Sequence, residues 1–586
     1  MTRLKFFFEI VLACSLLACG QVKENLDPAV TQTFSEQWKF RAGEGDSLWS
    51  RPDFDDSQWL DVVSTLSLKD QSVALDNGFG WYRKTVQLSD SLLQSLDKKG
   101  ELVLHLGKFA AAEEVYFNGR LIGKTGDFPP NYMGYNDGER NYLIAKEAVL
   151  PKGDNVIAIK FHNGWGAGGF LSSAPVSISS AETNDKLSVT IEVPDADYIF
   201  LSPDTIRATA LLENKNEWPV EGELSVMLLT DDHQVLQTDR YEVKVTGKST
   251  YSAALKSIAT NRLAPGFYQY KVEFIRHSQP ASADHLMLGF DPEKIQSPVD
   301  AQADFQEFWQ NNLKELAKVA PQYKMTLQPQ YSQLDYKVYL VEMRSLGNVL
   351  IRGYYAQPKR DGRFPVIIEY MGYGSKPYPP NQSWDGFAYF IPSIREQGLN
   401  ESNPYSRWIL SGLDNKNNYY YRGAFMDVVR ALDFVCSRPE IDTEKIAVRG
   451  ASQGGALSFV AAALDHRVKV AAPSVPFLSD YRDYFKIASW PKSDFDVYME
   501  QHPEAKWDDI YTLLSYFDIK NLAPLIECPV FMGFGVQDQV CPPHINFAAY
   551  NQVKPEKRWM ASPEFGHSVS KVFNEAAVEY MREKFR

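Results

Sequence analysis

Residues 446–456 read Ile446-Ala447-Val448-Arg449-Gly450-Ala451-Ser452-Gln453-Gly454-Gly455-Ala456. A short apolar strand runs into the pattern G-x-S-x-G, and a small-residue helix, predicted from Gln453 to Leu464, leaves it. The five-residue pattern alone is weak, since a chain of this length meets it by chance about 0.2 times. Its setting is what decides. In a strand-to-helix turn of this kind the serine is strained, and the glycines let the helix backbone pass close to the strand. The serine oxygen is thereby pushed out at the end of a sheet, and the N–H of Gln453 is aimed where an oxyanion would form. Segments on either side repeat the alternation. Val366-Ile367-Ile368-Glu369-Tyr370 reads as a largely apolar strand. Phe425, Val428, Val429, Leu432 and Val435 fall on one helix face. Val468 to Ala472 and Pro529 to Phe534 are further strands, and Ala576 to Phe585 is a closing helix. From about residue 300 the expectation is an α/β fold with a mostly parallel sheet and flanking helices.

A serine hydroxyl is a poor nucleophile unaided, so a base must follow, with an acid between them in the order Ser, acid, His. Four histidines follow Ser452. His466 ends the nucleophile helix, too close to turn back onto the elbow. His502 falls in a predicted helical insertion. His544 follows Pro542-Pro543 at a helix start, where a structural role fits. His567, in Glu564-Phe565-Gly566-His567, lies between the last strand and the last helix, where a base must reach over the sheet. Asp538, after the strand Val530 to Val536, is the expected acid, fixing the imidazole tautomer and stabilising the imidazolium. A second oxyanion donor is expected from Met371-Gly372-Tyr373-Gly374, through the Tyr373 N–H.

The chain has 586 residues, with 61 Lys and Arg against 74 Asp and Glu, a net charge of −13. Its 44% hydrophobic and 23% charged content excludes a disordered chain, a collagen-like repeat and a polytopic membrane protein. The acidic balance argues against nucleic acid as a partner. Arg3 and Lys5 precede an apolar run from Phe6 to Ala18, interrupted by Glu9 and closed by Cys19. The run suits a signal peptide over residues 1–18. Leu16-Leu17-Ala18-Cys19 resembles a bacterial lipobox, in which Cys19 receives a lipid anchor, with residues 19–33 as a tether. The expected address is the bacterial cell envelope, with the membrane as a partner through that anchor. Cys436, Cys528 and Cys541 allow at most one bridge, and no Cys/His cluster has zinc spacing. No cofactor is implied.

Residues 34–182 carry short strands punctuated by turns, and Asn118-Gly119 between two β-like triplets is a tight-hairpin signal. Phe54-Asp55-Asp56-Ser57-Gln58-Trp59, Gly80-Trp81-Tyr82-Arg83-Lys84 and Val115-Tyr116-Phe117-Asn118-Gly119 resemble the galactose-binding-like jelly roll found beside glycoside-hydrolase catalytic domains. Trp49, Trp59 and Trp81 are read as core. Trp165, in the Gly-rich run Asn163 to Gly169, is the candidate exposed aromatic for sugar stacking. Residues 185–290 suit a small immunoglobulin-like sandwich, read as a spacer. Asp291 to Pro298 reads as a linker before the α/β region, bounded at 295–586.

That last region resembles the acetyl xylan esterase and cephalosporin C deacetylase family of α/β-hydrolases. The resemblance rests on Tyr420-Tyr421-Arg422-Gly423, Asp427 with Arg430-Ala431-Leu432, and Gly450-Ala451-Ser452-Gln453-Gly454-Gly455. It continues through Tyr516-Phe517-Asp518, Asp538 before Cys541-Pro542-Pro543, Phe547-Ala548-Ala549-Tyr550-Asn551 and Gly566-His567. It implies removal of acetyl groups from sugar hydroxyls through an acetyl-serine, with acetylated carbohydrate as substrate and Ser452, Asp538 and His567 as triad. It also implies a homo-oligomer in many members, an assembly that the two extra β domains and a lipid anchor bring into question here. The family's Arg-Gly-Gln near the active site stands here as Arg395-Glu396-Gln397, and Ser568 replaces a Glu common after the histidine. Arg395 and Gln397 are therefore candidate pocket residues. Two rivals remain at this stage: a serine peptidase of the prolyl-oligopeptidase type, and a catalytically silent glycan-binding surface lipoprotein.

Overall fold

The computed structural model describes residues 30–586 except 74, 76–77, 100, 130–131, 133, 135–138, 164–168, 172–174, 181–186, 195–196, 217–218, 260–262, 277–278, 381–385 and 402–406. The signal segment, Cys19 and Trp165 lie outside these residues. The chain divides into two compact units, Met1–Glu182 and Thr183–Arg586.

The first unit is built from two antiparallel sheets. One joins Thr31–Thr33, Ser177–Ser180, Glu101–Ala110, Glu139–Ala145 and Gly169–Phe170; the other runs from Leu60–Val63 to Arg120–Thr125. The Asn118-Gly119 turn closes a hairpin in which Phe117 pairs with Arg120. Both turn residues take positive φ, 51° and 81°, the conformation that matches a two-residue turn to the strand twist. Trp38, Phe40, Tyr82 and Phe161 fill the core between the sheets. Trp59 and Trp81 are buried, with half-buried Trp49 against both, so all three pack rather than offer a platform.

The second unit begins with a sandwich of a three-stranded and a five-stranded sheet, the latter ordered Ile199–Phe200, Gln279–Phe290, Gly266–Arg276, Val220–Thr230, Val235–Val245. A nine-stranded sheet follows. Its order is Lys324–Leu327, Tyr336–Ser345, Val349–Pro358, Ala388–Pro392, Phe364–Tyr370, Ile441–Ala451, Val470–Ser474, Val530–Gly535 and Lys557–Ser562. Pairing is antiparallel up to Ala388–Pro392 and parallel beyond it. Helices on both faces explain why Phe364–Tyr370 is largely apolar. Val366 and Ile368 pack with Phe425 and Val428 on one face, while Ile367 packs with Phe573 and Met581 on the other. This is the α/β-hydrolase architecture, preceded by β-sandwich regions.

The sandwich at 187–290, read from sequence as a spacer, is packed onto the hydrolase body. Its Ile199 and Phe267, with Ile295, share one apolar cluster with Met532, Phe534, Val536, Phe547 and Tyr550 of the hydrolase body. The expected linker is likewise held down: Pro292, Ile295 and Ser297 are buried, and Asn551 donates to the Pro292 carbonyl at 3.0 Å. Apolar residues scattered over segments distant in sequence make this seam, so no local pattern announces it. Because the seam is continuous, Phe267→Ala is expected to lower the stability of residues 183–586 by about 3 kcal/mol, with sandwich and hydrolase body unfolding in one shared transition. Hydrogen–deuterium exchange along a urea series, read separately on peptides of the sandwich and of the hydrolase body, checks this; different midpoints for the two sets would contradict the seam.

Candidate active site

The elbow strand and its helix approach so closely that side chains are excluded. A Cβ on Gly450 would lie 2.4 Å from the Tyr370 carbonyl oxygen, one on Gly454 2.0 Å from the same atom, and one on Gly455 2.5 Å from the Ser474 oxygen. Ser452, at φ 60° and ψ −123°, takes the strained conformation of a nucleophile elbow. Its N–H donates to Ser474 at 3.0 Å, and its carbonyl accepts from Ala456 and Phe477, so both neighbours hold the turn.

Strands Val470–Ser474, Val530–Gly535 and Lys557–Ser562 continue the parallel sheet from the elbow strand, so their carboxyl ends share one edge. The segment after Val530–Gly535 carries Asp538, whose side chain is fully buried. Its Oδ1 accepts from the N–H groups of Val540 (2.8 Å) and Cys541 (2.9 Å). Its Oδ2 meets Nδ1 of His567 at 2.8 Å. A carboxylate only accepts, so Nδ1 carries the proton and Nε2 keeps its lone pair. Burial alone would lower the His567 pKa, but the charge and hydrogen bond of Asp538 outweigh it and raise it above the ordinary 6.5. The loop carrying His567 is crowded against the acid strand, since a Cβ on Gly535 would lie 2.0 Å from the Gly566 oxygen.

Three residues beyond Asp538, Cys541 is fully buried, its thiol 3.8 Å from the Tyr484 hydroxyl. Burial pushes that thiol well above its usual range, so it stays neutral. All three cysteines are free. Among the described residues no hydrogen bond joins Ser452 to His567; the serine hydroxyl is a free rotor, and such contacts tighten when substrate binds.

The second oxyanion candidate lies against the elbow. A Cβ on Gly372 would be 3.9 Å from the Ser452 Cβ, which puts the Gly372–Ser375 turn beside Ser452. Among the described residues neither the Tyr373 nor the Gln453 N–H has a protein acceptor. Behind the turn, the amides of Gln397 and Gln453 pair reciprocally at 3.1 and 3.0 Å. Gln397 also accepts from the Gly374 N–H at 2.9 Å, and Tyr421 donates to Gln453 at 2.9 Å. This pair ties the turn to the elbow. Sequence reading found Gln397 only through a motif and missed its partner, the Gln453 side chain. Arg395 is held by the Asp427 carboxylate through Nε (2.9 Å) and Nη2 (2.8 Å). Burial would lower its pKa, and Asp427 more than offsets that.

The remaining histidines after Ser452 do not join this group. His544 Nδ1 meets Asp231 of the sandwich at 2.7 Å, and His502 meets the Tyr498 carbonyl at 2.9 Å. Among the described residues, Asp480, Asp483 and His544 bring metal-ligand atoms within 4.8 Å of one another. Asp480 is already bound to Ser297 and, at 3.0 Å, to Lys520, so the group is a paired polar cluster and not an open cradle.

The sequence model of the family described as acetyl xylan esterase matches residues 293–584. The chain is 31% identical to the acetyl xylan esterase of Paenibacillus sp. R4, covering 50% of this chain and 98% of that one at a TM-score of 0.47. It belongs to the acetyl xylan esterase family. Acetyl xylan esterase 1 from Thermoanaerobacterium sp. JW/SL YS485 is 29% identical over 50% of this chain and 98% of its own, at a TM-score of 0.47. The acetyl esterase Axe7A of Xylanibacter ruminicola is 27% identical over 318 residues, 52% of this chain and 72% of that protein. Membership makes the chain a carboxylic ester hydrolase.

The Arg-Gly-Gln departure has a physical consequence. Glu396 sits at φ 60°, a left-handed backbone that favours glycine, and its side chain is exposed. Glu396→Gly is therefore expected to stabilise the protein by about 1 kcal/mol, the relieved strain exceeding the entropy gained by the unfolded chain. Chemical unfolding of the two proteins checks this; a loss of stability would mean that Glu396 makes a compensating contact.

Proposed function

We propose that this protein releases acetate from acetylated polysaccharide or oligosaccharide through an acetyl-serine on Ser452. Nε2 of His567 takes the proton of the Ser452 hydroxyl as its oxygen attacks the acetyl carbonyl. The N–H groups of Gln453 and Tyr373 receive the developing oxyanion. His567 then gives the proton to the leaving sugar oxygen. Water, activated by the same imidazole, attacks the acetyl-serine and frees acetate. Asp538 keeps the imidazole in the one tautomer that can do this. The 2.8 Å contact of Asp538 with His567 carries the reading, because it aligns the one acid and the one base that the Ser-acid-His order requires. The names of the relatives, acetyl xylan esterases and an acetyl esterase, support acetylated carbohydrate as the substrate class.

Ser452→Ala is expected to lower turnover of a chromogenic acetate ester by about 10⁴-fold or more with the fold intact. Unchanged turnover would reject the reading. The pH profile gives a second, signed readout. Activity needs neutral His567, so kcat/KM should fall as pH drops through a value above the ordinary 6.5. In Asp538→Asn the raising charge is gone and the lowering effect of burial remains. The acid limb should move below that ordinary value while kcat drops about 10⁴-fold. A limb that stays in place would remove Asp538 from the mechanism.

We further propose that the mature chain is tethered to the bacterial envelope through a lipid on Cys19. The run from Phe6 to Ala18, ending in Leu16-Leu17-Ala18 directly before the cysteine, supports this. Cys19→Ala should abolish incorporation of labelled palmitate and move the protein from the membrane fraction to the soluble one. Continued membrane pelleting without label would point to a different anchor.

A further inference from the structure

Within the second unit, the edge of the sandwich meets the two segments that carry Asp538 and His567. Strand Gln279–Phe290 is covered on its outer edge by Ile199–Phe200 only at Gly289 and Phe290. Met287, one step earlier along that edge, has a backbone N–H and C=O facing outward. Both are met by one side chain. The Oε1 of Gln537 accepts from the Met287 N–H at 2.8 Å, and its Nε2 donates to the Met287 carbonyl at 3.1 Å. A single amide thus stands in for the missing strand. The same Nε2 donates to the Pro563 carbonyl at 3.0 Å, on the loop leading to His567. The backbone N–H of Gln537 donates to Phe565 at 3.0 Å, and that of Val536 to Ser562 at 3.1 Å.

Gln537 therefore joins three segments: the sandwich edge, the acid segment and the base loop. It is the residue next to Asp538, so a turn of its backbone swings the carboxylate. Val536, on its other side, is buried in the apolar seam with Phe267 and Ile199. The two residues that lead into the acid are then both held by the sandwich. A second bond at this surface, from Tyr198 to Glu564 at 3.1 Å, is exposed and reaches neither Asp538 nor His567.

We propose that Gln537 is a positioning residue for ester hydrolysis, and that the sandwich, through Met287, sets the spacing between Asp538 and His567. Resting as it does on the triad reading, this would make the middle domain part of the catalytic machinery. Neither the motif nor the family resemblance assigns Gln537 a role, and its partner lies 250 positions away.

The test compares Gln537→Ala, Gln537→Glu and Tyr198→Phe in the full chain on a chromogenic acetate ester. Gln537→Ala should lower kcat about tenfold with KM within about twofold, since a small misplacement of a catalytic pair costs this much. Its acid limb should move downward, because His567 loses part of the help of Asp538. Gln537→Glu keeps the size and the acceptor for Met287 but sets a carboxylate against the carbonyls of Met287 and Pro563. It should show the same loss of kcat, which guards against misfolding of the alanine variant; its added negative charge opposes the shift, so the limb is read on Gln537→Ala. Tyr198→Phe should leave both parameters unchanged. If both Gln537 variants keep kcat and the limb of the parent, the proposal is overturned. A loss of kcat with the limb of Gln537→Ala unmoved overturns it too, since it assigns Gln537 to general stability. Ser452→Ala separates this from failure of the triad reading: if that variant stays active, the triad itself is wrong.

Discussion

Two loops that leave neighbouring parallel strands carry the two ends of one hydrogen bond, Asp538 Oδ2 to His567 Nδ1. Much of the surrounding structure can be understood as what is needed to keep that bond short. The carboxylate is stripped of water, so its remaining oxygen must be satisfied, and the N–H groups of Val540 and Cys541 do this. With both oxygens committed, the carboxylate cannot rotate, and the imidazole it meets has one orientation and one tautomer. The same charge makes the imidazole a stronger base than burial would allow. The base loop approaches the acid strand closely enough that Gly535 is required where it stands.

The opposite side of the site depends on backbone, not on charge. The elbow holds Ser452 in a strained turn between its neighbours, and the Gly372–Ser375 turn rests against it. The reciprocal amide pair of Gln397 and Gln453 joins the two without introducing charge near a developing oxyanion. Arg395, two residues before Gln397, is bound by Asp427, and Arg449, three before Ser452, by Glu369. Negative charge formed on the acyl oxygen would therefore be met by oriented N–H dipoles, which need no reorganisation as the reaction proceeds.

Some of this was legible in the sequence, for reasons that are local. The elbow is announced by glycines because close backbone approach tolerates nothing else, and the predicted helix bounds, Gln453 to Leu464, agree with the structure. The Asn118-Gly119 hairpin was legible because its turn needs two positive φ angles. What stayed hidden depends on contacts between distant segments. Nothing near Gln537 suggests that it completes the edge of a strand 250 residues earlier, and the apolar seam that turns the expected spacer into part of the hydrolase body is assembled from five separate segments. Glu396 shows the limit from another side. A residue with a Cβ in a left-handed turn gives no sign of its conformation, and the strain became visible only with φ. The pairing of His544 with Asp231 across the seam was equally out of reach, although its place at a helix start had pointed to a structural role.

The most direct measurement is rapid-quench mass spectrometry of the full chain during turnover of an acetate ester, followed by peptide mapping. An acetyl group appearing within the first turnover on the peptide that contains Ser452, and lost at the rate of steady-state acetate release, is the expected result. Acetate released with no acyl-enzyme at any quench time, or an acetyl group that matures on a different residue, would contradict a mechanism in which Asp538 and His567 serve this serine.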